Sequence, residues 1–146
     1  MIPAKVEEEF YQKIWDICCK VITKAKLHES VVPVLHMKAS QNFEELKSSS
    51  SVVKASESSV SRAERFYKDI WGNPSMKPKI EEWAQKKRKC PEDGPPRGND
   101  LHILAVALEN SASGVELVTF DNDYLVFSEL IVSTLNITVT DGFKLL

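Results

Sequence analysis

The sequence predicts a single α/β domain, over residues 1–146, in which helices cover a small parallel sheet. Its length and its composition, 42% apolar and 27% charged, suit a chain that buries one core. Apolar side chains recur at helical spacing in several long segments. In the last third of the chain, short β-rich runs alternate with helical patterns, which is the order that a parallel sheet with covering helices requires.

The chain opens with a predicted amphipathic helix over residues 4–26. Pro3 suits the first turn of a helix, and three glutamates follow where the helix dipole favours negative charge. The residues of the predicted apolar face recur at helical spacing: Val6, Phe10, Ile14, Ile17 and Val21. The next segment, residues 29–37, fits either a strand or a buried turn, although Pro33 would interrupt both.

The middle of the chain alternates between helix signals and helix breakers. Serine-rich residues 48–61 predict a loop or a fraying helix start. A helical stripe from Val60 to Trp71 then stops at a Gly-Asn-Pro sequence, and Pro78 opens another helix that ends in basic residues. Prolines and glycines in residues 90–99 forbid regular structure and predict an exposed loop.

The C-terminal third carries the clearest pattern. Leu101 to Leu108 predicts a helix, and residues 115–120 form a β-rich run after a glycine. A second apolar helix is predicted over residues 124–135, and a second short strand over residues 137–139. Helix, strand, helix and strand therefore follow one another as in a parallel α/β unit.

The charge, the apolar content and the cysteines limit the classes of protein to which this chain can belong. The 19 basic and 21 acidic side chains give a formal charge of −2, so bulk attraction to nucleic acid or to an anionic membrane is not implied. The sequence has neither a long apolar span nor a signal peptide pattern, and its three cysteines suit a reducing compartment. We therefore expect a cytoplasmic protein without membrane contact.

Three aspartates in the C-terminal third suggest a metal site. Asp121 and Asp123 follow a predicted strand, at the end where ligands gather in parallel sheets, and Asp100 stands at a predicted helix start. Three carboxylates repel one another unless a cation joins them, and Mg²⁺ or Mn²⁺ prefers such hard oxygen ligands. The alternative is structural, because aspartate is also a preferred helix cap and turn residue.

A resemblance to a known family favours the metal interpretation. The stretch from Gly98 to Leu108 (GNDLHILAVAL), followed by Leu117 to Tyr124 (LVTFDNDY), resembles the C-terminal half of a PIN domain. The resemblance implies a three-layer α/β/α fold and a ribonuclease that hydrolyses RNA with Mg²⁺ or Mn²⁺. The positions that match the acidic site of the family are Asp100, Asp121 and Asp123.

The opening segment resembles a further part of the family. Residues 2–10 (IPAKVEEEF) are similar to the stretch in which a proline precedes a helix that carries another metal-site acid. Glu9 matches that position best, and Glu8 is the alternative. Without the resemblance, Glu9 would be a helix-surface charge that faces Lys13 one turn later.

The match to the family starts after its first strand, which carries an active-site aspartate, so we expect an N-terminally truncated PIN-like fold. Either an upstream start, or another subunit such as a second copy, would then complete the sheet, or the chain is an inactive remnant. The resemblance to toxin members implies an antitoxin-like partner. The alternative function is therefore a catalytically inactive PIN-like module that acts through protein contact.

Basic residues near the predicted site are candidates for RNA binding. They are Lys86, Lys87, Arg88, Lys89 and Arg97. A solvated helix end is the alternative interpretation of such a run. Trp71, Trp83 and Tyr67 could stack on bases, but their helical spacing favours core packing.

Overall fold

The computed structural model describes residues 1–145, which form two compact units: Met1–Lys54 and the chain from Ala55 onward. The chain is mostly helical, and each unit contains one two-stranded parallel sheet. The predicted α/β class with parallel strand pairing is therefore confirmed at this coarse level. The prediction that residues 1–146 form one domain stays a prediction.

The N-terminal unit consists of two helices and two very short strands. In chain order they are β1 (Ile2–Pro3), α1 (Ala4–Lys24), α2 (Val32–Ser48) and β2 (Val52–Val53). Strands β1 and β2 pair in parallel, with Ile2 opposite Val52. Cys18 and Ile22 of α1 form a small core with Val32, at the start of α2.

Two sequence predictions about this unit need correction. The apolar face of α1 continues through Cys18 and Ile22, because these positions extend the four-residue steps from Ile14, whereas the predicted Ile17 and Val21 are 49% and 48% exposed. Residues 29–37 form a 3₁₀ turn and the first turns of α2, not a strand. Pro33 suits that first turn, where no backbone N–H is needed for the helix.

The C-terminal unit holds five helices and one strand pair among the described residues. The elements are α3 (Glu57–Trp71), α4 (Lys77–Lys87), α5 (Asn99–Glu109), β3 (Glu116–Thr119), α6 (Asn122–Leu125), α7 (Ser128–Leu135) and β4 (Thr138–Asp141). Helix α3 packs along α5, and β3 pairs in parallel with β4 so that Thr119 lies opposite Asp141. The core of the unit includes Tyr67, Trp83, Leu104 and Phe127, each almost completely buried.

Three segments between Ser48 and Leu135 differ in detail from the prediction. The serine-rich loop is shorter than residues 48–61, because α2 continues to Ser48 and α3 begins at Glu57. The predicted helix 124–135 is divided into α6 and α7, since buried Val126 and Phe127 pack into the core between them. The loop 90–99 contains one 3₁₀ turn at Pro91–Asp93 and ends where α5 begins.

Ser56 is the N-cap of α3 and provides a test of this helix start. Its hydroxyl oxygen accepts a hydrogen bond from the backbone N–H of Ser59 at 3.3 Å. We expect Ser56→Ala to lower the free energy of unfolding by about 1 kcal/mol, because this donor loses its cap. Denaturant unfolding measures the change, with Ser61→Ala on the exposed helix surface as the control. Equal effects of the two substitutions would contradict the capping role.

None of the described helices combines the length and the apolar character that a membrane span requires. The three cysteines are free, and they range from buried Cys18 to exposed Cys90.

Tyr67 and Trp83 are buried, which confirms core packing rather than an exposed stacking surface, and Trp71 packs against the same core.

Candidate functional site

Three aspartates from two regions of the C-terminal unit meet in space. Asp100 lies in the first turn of α5, and Asp121 and Asp123 follow the carboxyl end of β3. One carboxylate oxygen of each lies within 4.8 Å of the other two, and among the described residues these three form a group that could hold a metal ion. We call Asp100, Asp121 and Asp123 the acidic cluster.

Asp123 is the buried centre of the acidic cluster, with none of its surface exposed. Its Oδ1 accepts a hydrogen bond from the indole N–H of Trp83 at 2.6 Å, and its Oδ2 accepts one from the ammonium of Lys87 at 3.0 Å. The hydroxyl of Tyr67 donates to its backbone carbonyl at 2.7 Å. Both the side chain and the backbone of Asp123 are therefore fixed by neighbours from α3 and α4.

Asp121 is both a helix cap and a member of the acidic cluster. Its Oδ1 accepts the backbone N–H of Asp123 at 2.9 Å, which caps α6, and also accepts from the Lys87 ammonium at 2.7 Å. Its own backbone N–H donates to Oγ1 of Thr119 at 3.0 Å. The structural interpretation of this aspartate is thus correct, and the capping bond also aims its carboxylate at the acidic cluster.

Asp100 resists ionisation at its place in the acidic cluster. Burial first, and then a hydrogen bond with Asp123 and the charges of Asp123 and Asp121, raise the pKa of the Asp100 carboxyl to about 7, although the charge of Lys87 works in the opposite direction. The ordinary value is 3.8. Near neutral pH, Asp100 therefore exchanges readily between a protonated form and an anionic form.

Two tyrosines hold the backbone of the acidic cluster and remain neutral. Burial, together with the nearby aspartates, raises the pKa of the Tyr67 and Tyr124 phenols well above 10. Both hydroxyls therefore stay protonated and donate hydrogen bonds, Tyr67 to the carbonyl of Asp123 and Tyr124 to the carbonyl of Asp100. The two carboxylates are positioned through their main chain as well as their side chains.

Lys87 supplies a positive charge inside the acidic cluster. Burial alone would lower the pKa of this ammonium, but the hydrogen bonds to Asp121 and Asp123 outweigh burial and raise that pKa, so the group stays charged. Three ionised carboxylates with one ammonium leave a local charge of −2, which a divalent cation would neutralise. When Asp100 holds a proton, the remaining charge is −1.

The acidic cluster fits Mg²⁺ or Mn²⁺ by the chemistry of its donors. These ions prefer carboxylate oxygens and keep several waters, so a few carboxylates on separate elements suffice. Oxygens bound to one Mg²⁺ ion at about 2.1 Å lie at most about 4.2 Å apart. The oxygens here lie within 4.8 Å of one another, so small side-chain movements would complete the geometry.

The structure places the glutamate candidates in the N-terminal unit, on α1. The carboxylate of Glu9 lies 3.2 Å from the ammonium of Lys13, as expected for charges one helical turn apart. Glu8 pairs with Lys5 at 2.9 Å, and the hydrogen bond from Lys5 lowers the pKa of the Glu8 carboxyl. A metal-binding role for Glu9 stays a prediction.

The other predicted RNA-binding residues lie on the surface around the end of α4. Lys86 pairs with Glu82 at 2.9 Å, Lys89 lies 5.7 Å from the centre of the Trp83 ring, and Arg97 donates to the carbonyl of Asp93 at 3.1 Å. Arg88 is exposed and ends the helix in a left-handed conformation. RNA binding by these side chains stays a prediction.

Sequence reasoning assigned Lys87 to the RNA surface and Trp83 to the core, and missed that both contact the acidic cluster. Their spacing contained a signal, because residues four apart lie on one face of a helix. An indole N–H and an ammonium on one face form a pair of donors suited to a buried carboxylate. Tyr67 and Tyr124 gave no such local signal.

Comparison of the chain with protein-family models, with curated proteins and with solved structures found no match.

Proposed function

We propose that this chain is a metal-dependent nuclease of the PIN type, an endoribonuclease in which Asp100, Asp121 and Asp123 hold Mg²⁺ or Mn²⁺. The observation that carries the proposal is the convergence of these carboxylates at the carboxyl end of β3. Ligand sites gather at this edge in parallel α/β sheets. The resemblance of residues 98–108 and 117–124 to a PIN domain supports it, and this resemblance implies a three-layer α/β/α fold.

The residues of the acidic cluster have different roles in the proposed metal binding. A bound divalent ion supplies Lewis acidity and lowers the pKa of coordinated water toward neutrality. Asp121 and Asp123 would hold it, since the α6 cap and Trp83 fix the positions of their carboxylates. Asp100, whose pKa is raised to about 7, would release its proton on becoming a metal ligand and would hold a proton in the absence of the metal.

RNA is the proposed substrate because the acidic cluster contacts one residue of a basic run at the end of α4. Lys87 points into it from the last residue of α4, and Lys86, Arg88 and Lys89 are its neighbours in sequence. Exposed cations beside an acidic metal site attract a phosphate backbone that the carboxylates alone would repel. We expect cleavage to weaken as the salt concentration rises.

Asp121→Asn tests the proposal most directly. Asparagine caps a helix as well as aspartate does, so the turn after β3 should remain folded while one anionic ligand is lost. We expect Mn²⁺ binding, measured by calorimetry, to weaken at least about tenfold, as changes around a metal site commonly do. Cleavage of a fluorescent oligoribonucleotide should fall by about 100-fold or more.

Asp141→Asn is the matched control for this experiment. Asp141 also ends a parallel strand, but its carboxylate accepts the backbone N–H of Phe143 at 3.0 Å, outside the acidic cluster. This variant should keep the metal affinity and the activity of the original chain. Failure of the unmodified chain to bind Mn²⁺, or RNA cleavage that survives in Asp121→Asn, would contradict the nuclease proposal.

A second candidate function is a protein-interaction module without catalysis. Apolar side chains of α1 favour it, because Trp15, Ile17 and Val21 are each about half exposed, and exposed apolar groups of this size commonly mark contact surfaces. The partner would be a second copy of this chain or an antitoxin-like protein. Light scattering distinguishes the cases, since an Ile17→Lys variant should dissociate a homodimer but leave a monomer unchanged.

A further inference from the structure

A lysine lies inside the acidic cluster, where the proposed function requires a metal ion. The Nζ of Lys87 is 2.7 Å from Oδ1 of Asp121 and 3.0 Å from Oδ2 of Asp123, and its side chain is only 20% exposed. We propose that Lys87 is an internal counter-cation, an inference that rests on the proposed function. Its ammonium holds the carboxylates while no divalent ion is bound, leaves them when the ion binds, and then contacts the substrate phosphate.

A divalent ion would compete with Lys87, because the carboxylate oxygens it needs already accept hydrogen bonds. Asp123 has one oxygen bonded to Trp83 and the other to Lys87, and the bonded oxygen of Asp121 also caps α6. The indole belongs to the core and cannot move away, whereas the ammonium ends a flexible four-carbon chain. An incoming divalent cation both needs these oxygens and repels the ammonium, so Lys87 is the group that moves.

The position of Lys87 on α4 gives the displaced ammonium a second partner. It is the last residue of the helix, and Arg88 after it has a left-handed backbone that turns the chain away. The side chain can therefore swing from the carboxylates toward solvent while it stays near the acidic cluster. A phosphate bound to the ion would give the ammonium a new anionic partner in place of the two carboxylates. Lysine is a common phosphate ligand.

Calorimetric titration of the full chain with Mn²⁺ tests the first half of the inference. Lys87→Gln removes the competing charge, so we expect it to bind Mn²⁺ about tenfold more tightly, within the range by which neighbours of metal ligands shift affinity. Lys87→Arg keeps a cation and should bind no more tightly than the unmodified chain. Lys86→Gln is the matched control, because its ammonium pairs with Glu82 instead, and its affinity should not change.

The outcomes separate this inference from the proposed function. Equal Mn²⁺ affinity in the unmodified chain and in Lys87→Gln would overturn the role of Lys87 and leave the nuclease proposal standing. Absence of binding in both would overturn the two together. If Lys87→Gln is too unstable for calorimetry, the rise in Tm that Mn²⁺ causes replaces the affinity, and this rise should exceed that of the unmodified chain.

The second half of the inference concerns phosphate. With methyl phosphate as the probe and saturating Mn²⁺, Lys87→Gln should bind about tenfold more weakly than the unmodified chain, since one charge-assisted hydrogen bond is lost. The same substitution would then strengthen metal binding and weaken phosphate binding. A purely structural lysine would not produce these opposite changes. Unchanged phosphate affinity would overturn this half.

Discussion

Asp123→Ala should destabilise the chain more than any other single substitution in the acidic cluster. The side chain is fully buried, and its removal leaves the Lys87 ammonium with one carboxylate partner and the Trp83 indole N–H with none. Breaking a buried charged pair by removing one partner costs about 3–5 kcal/mol. We expect thermal unfolding to show a Tm lower by more than about 10 °C.

A double variant distinguishes two causes of the stability loss in Asp123→Ala, the unpaired buried charge and the lost packing. Combining Asp123→Ala with Lys87→Met removes the unpaired ammonium, so the double variant should recover part of the stability that Asp123→Ala loses. Asp141→Ala is the control, since that carboxylate is only partly buried at the end of β4 and its loss should cost little. If Asp123→Ala unfolds no more easily than Asp141→Ala, the central role given to Asp123 is wrong.

Asp100→Asn should stabilise the chain more at pH 8 than at pH 5. An unfolded aspartate ionises near 3.8, whereas burial and the neighbouring carboxylates raise the pKa of folded Asp100 to about 7. Between these values the folded chain holds one proton more, so its free energy of unfolding falls as pH rises through this window. Above pH 7 the full cost of the anion is present, and asparagine avoids it.

The size of this effect follows from the pKa shift after allowance for solvent screening. A shift of one unit corresponds to about 1.4 kcal/mol, and partial exposure of Asp100 reduces the total to about 1–2 kcal/mol. Thermal unfolding at the two pH values should therefore show a Tm increase of about 5 °C at pH 8 and a smaller increase at pH 5. Asp69→Asn, on the exposed surface of α3, controls for the substitution itself.

Asp100→Asn should also lower the affinity for Mn²⁺ at least about tenfold, because one anionic ligand becomes neutral. A gain of stability together with a loss of metal binding is typical of a site selected for function rather than for folding. Equal stabilisation at pH 5 and pH 8 would show that the ionisation of Asp100 is not its cause. Loss of stability at both values would indicate a structural aspartate.

Helix positions were largely predictable because local signals specify them. The Gly-Asn-Pro sequence after Trp71 and the proline near the start of α4 mark real boundaries of α3 and α4. Predictions failed where packing overrides local preference. Buried Val126 and Phe127 divide α6 from α7, although the sequence around them reads as one continuous apolar helix.

The sequence by itself determined which residues carry charge at the ends of elements. It placed Asp121 and Asp123 after a strand, Asp100 at a helix start, and basic residues at the end of α4, since capping preferences and periodicity act over a few neighbouring residues. The sequence did not determine whether these element ends meet in space, because contacts between distant residues depend on how the elements pack.

Only the tertiary structure decided the environment of these charges. It buried Asp123 against Trp83, brought the ammonium of Lys87 between two carboxylates and raised the pKa of Asp100. Three partners of Asp123, Lys87, Trp83 and Tyr67, lie 36 to 56 positions away along the chain, so no local pattern could reveal them. Burial and charge proximity are properties of the folded state, and they turn a turn-and-cap sequence into the acidic cluster.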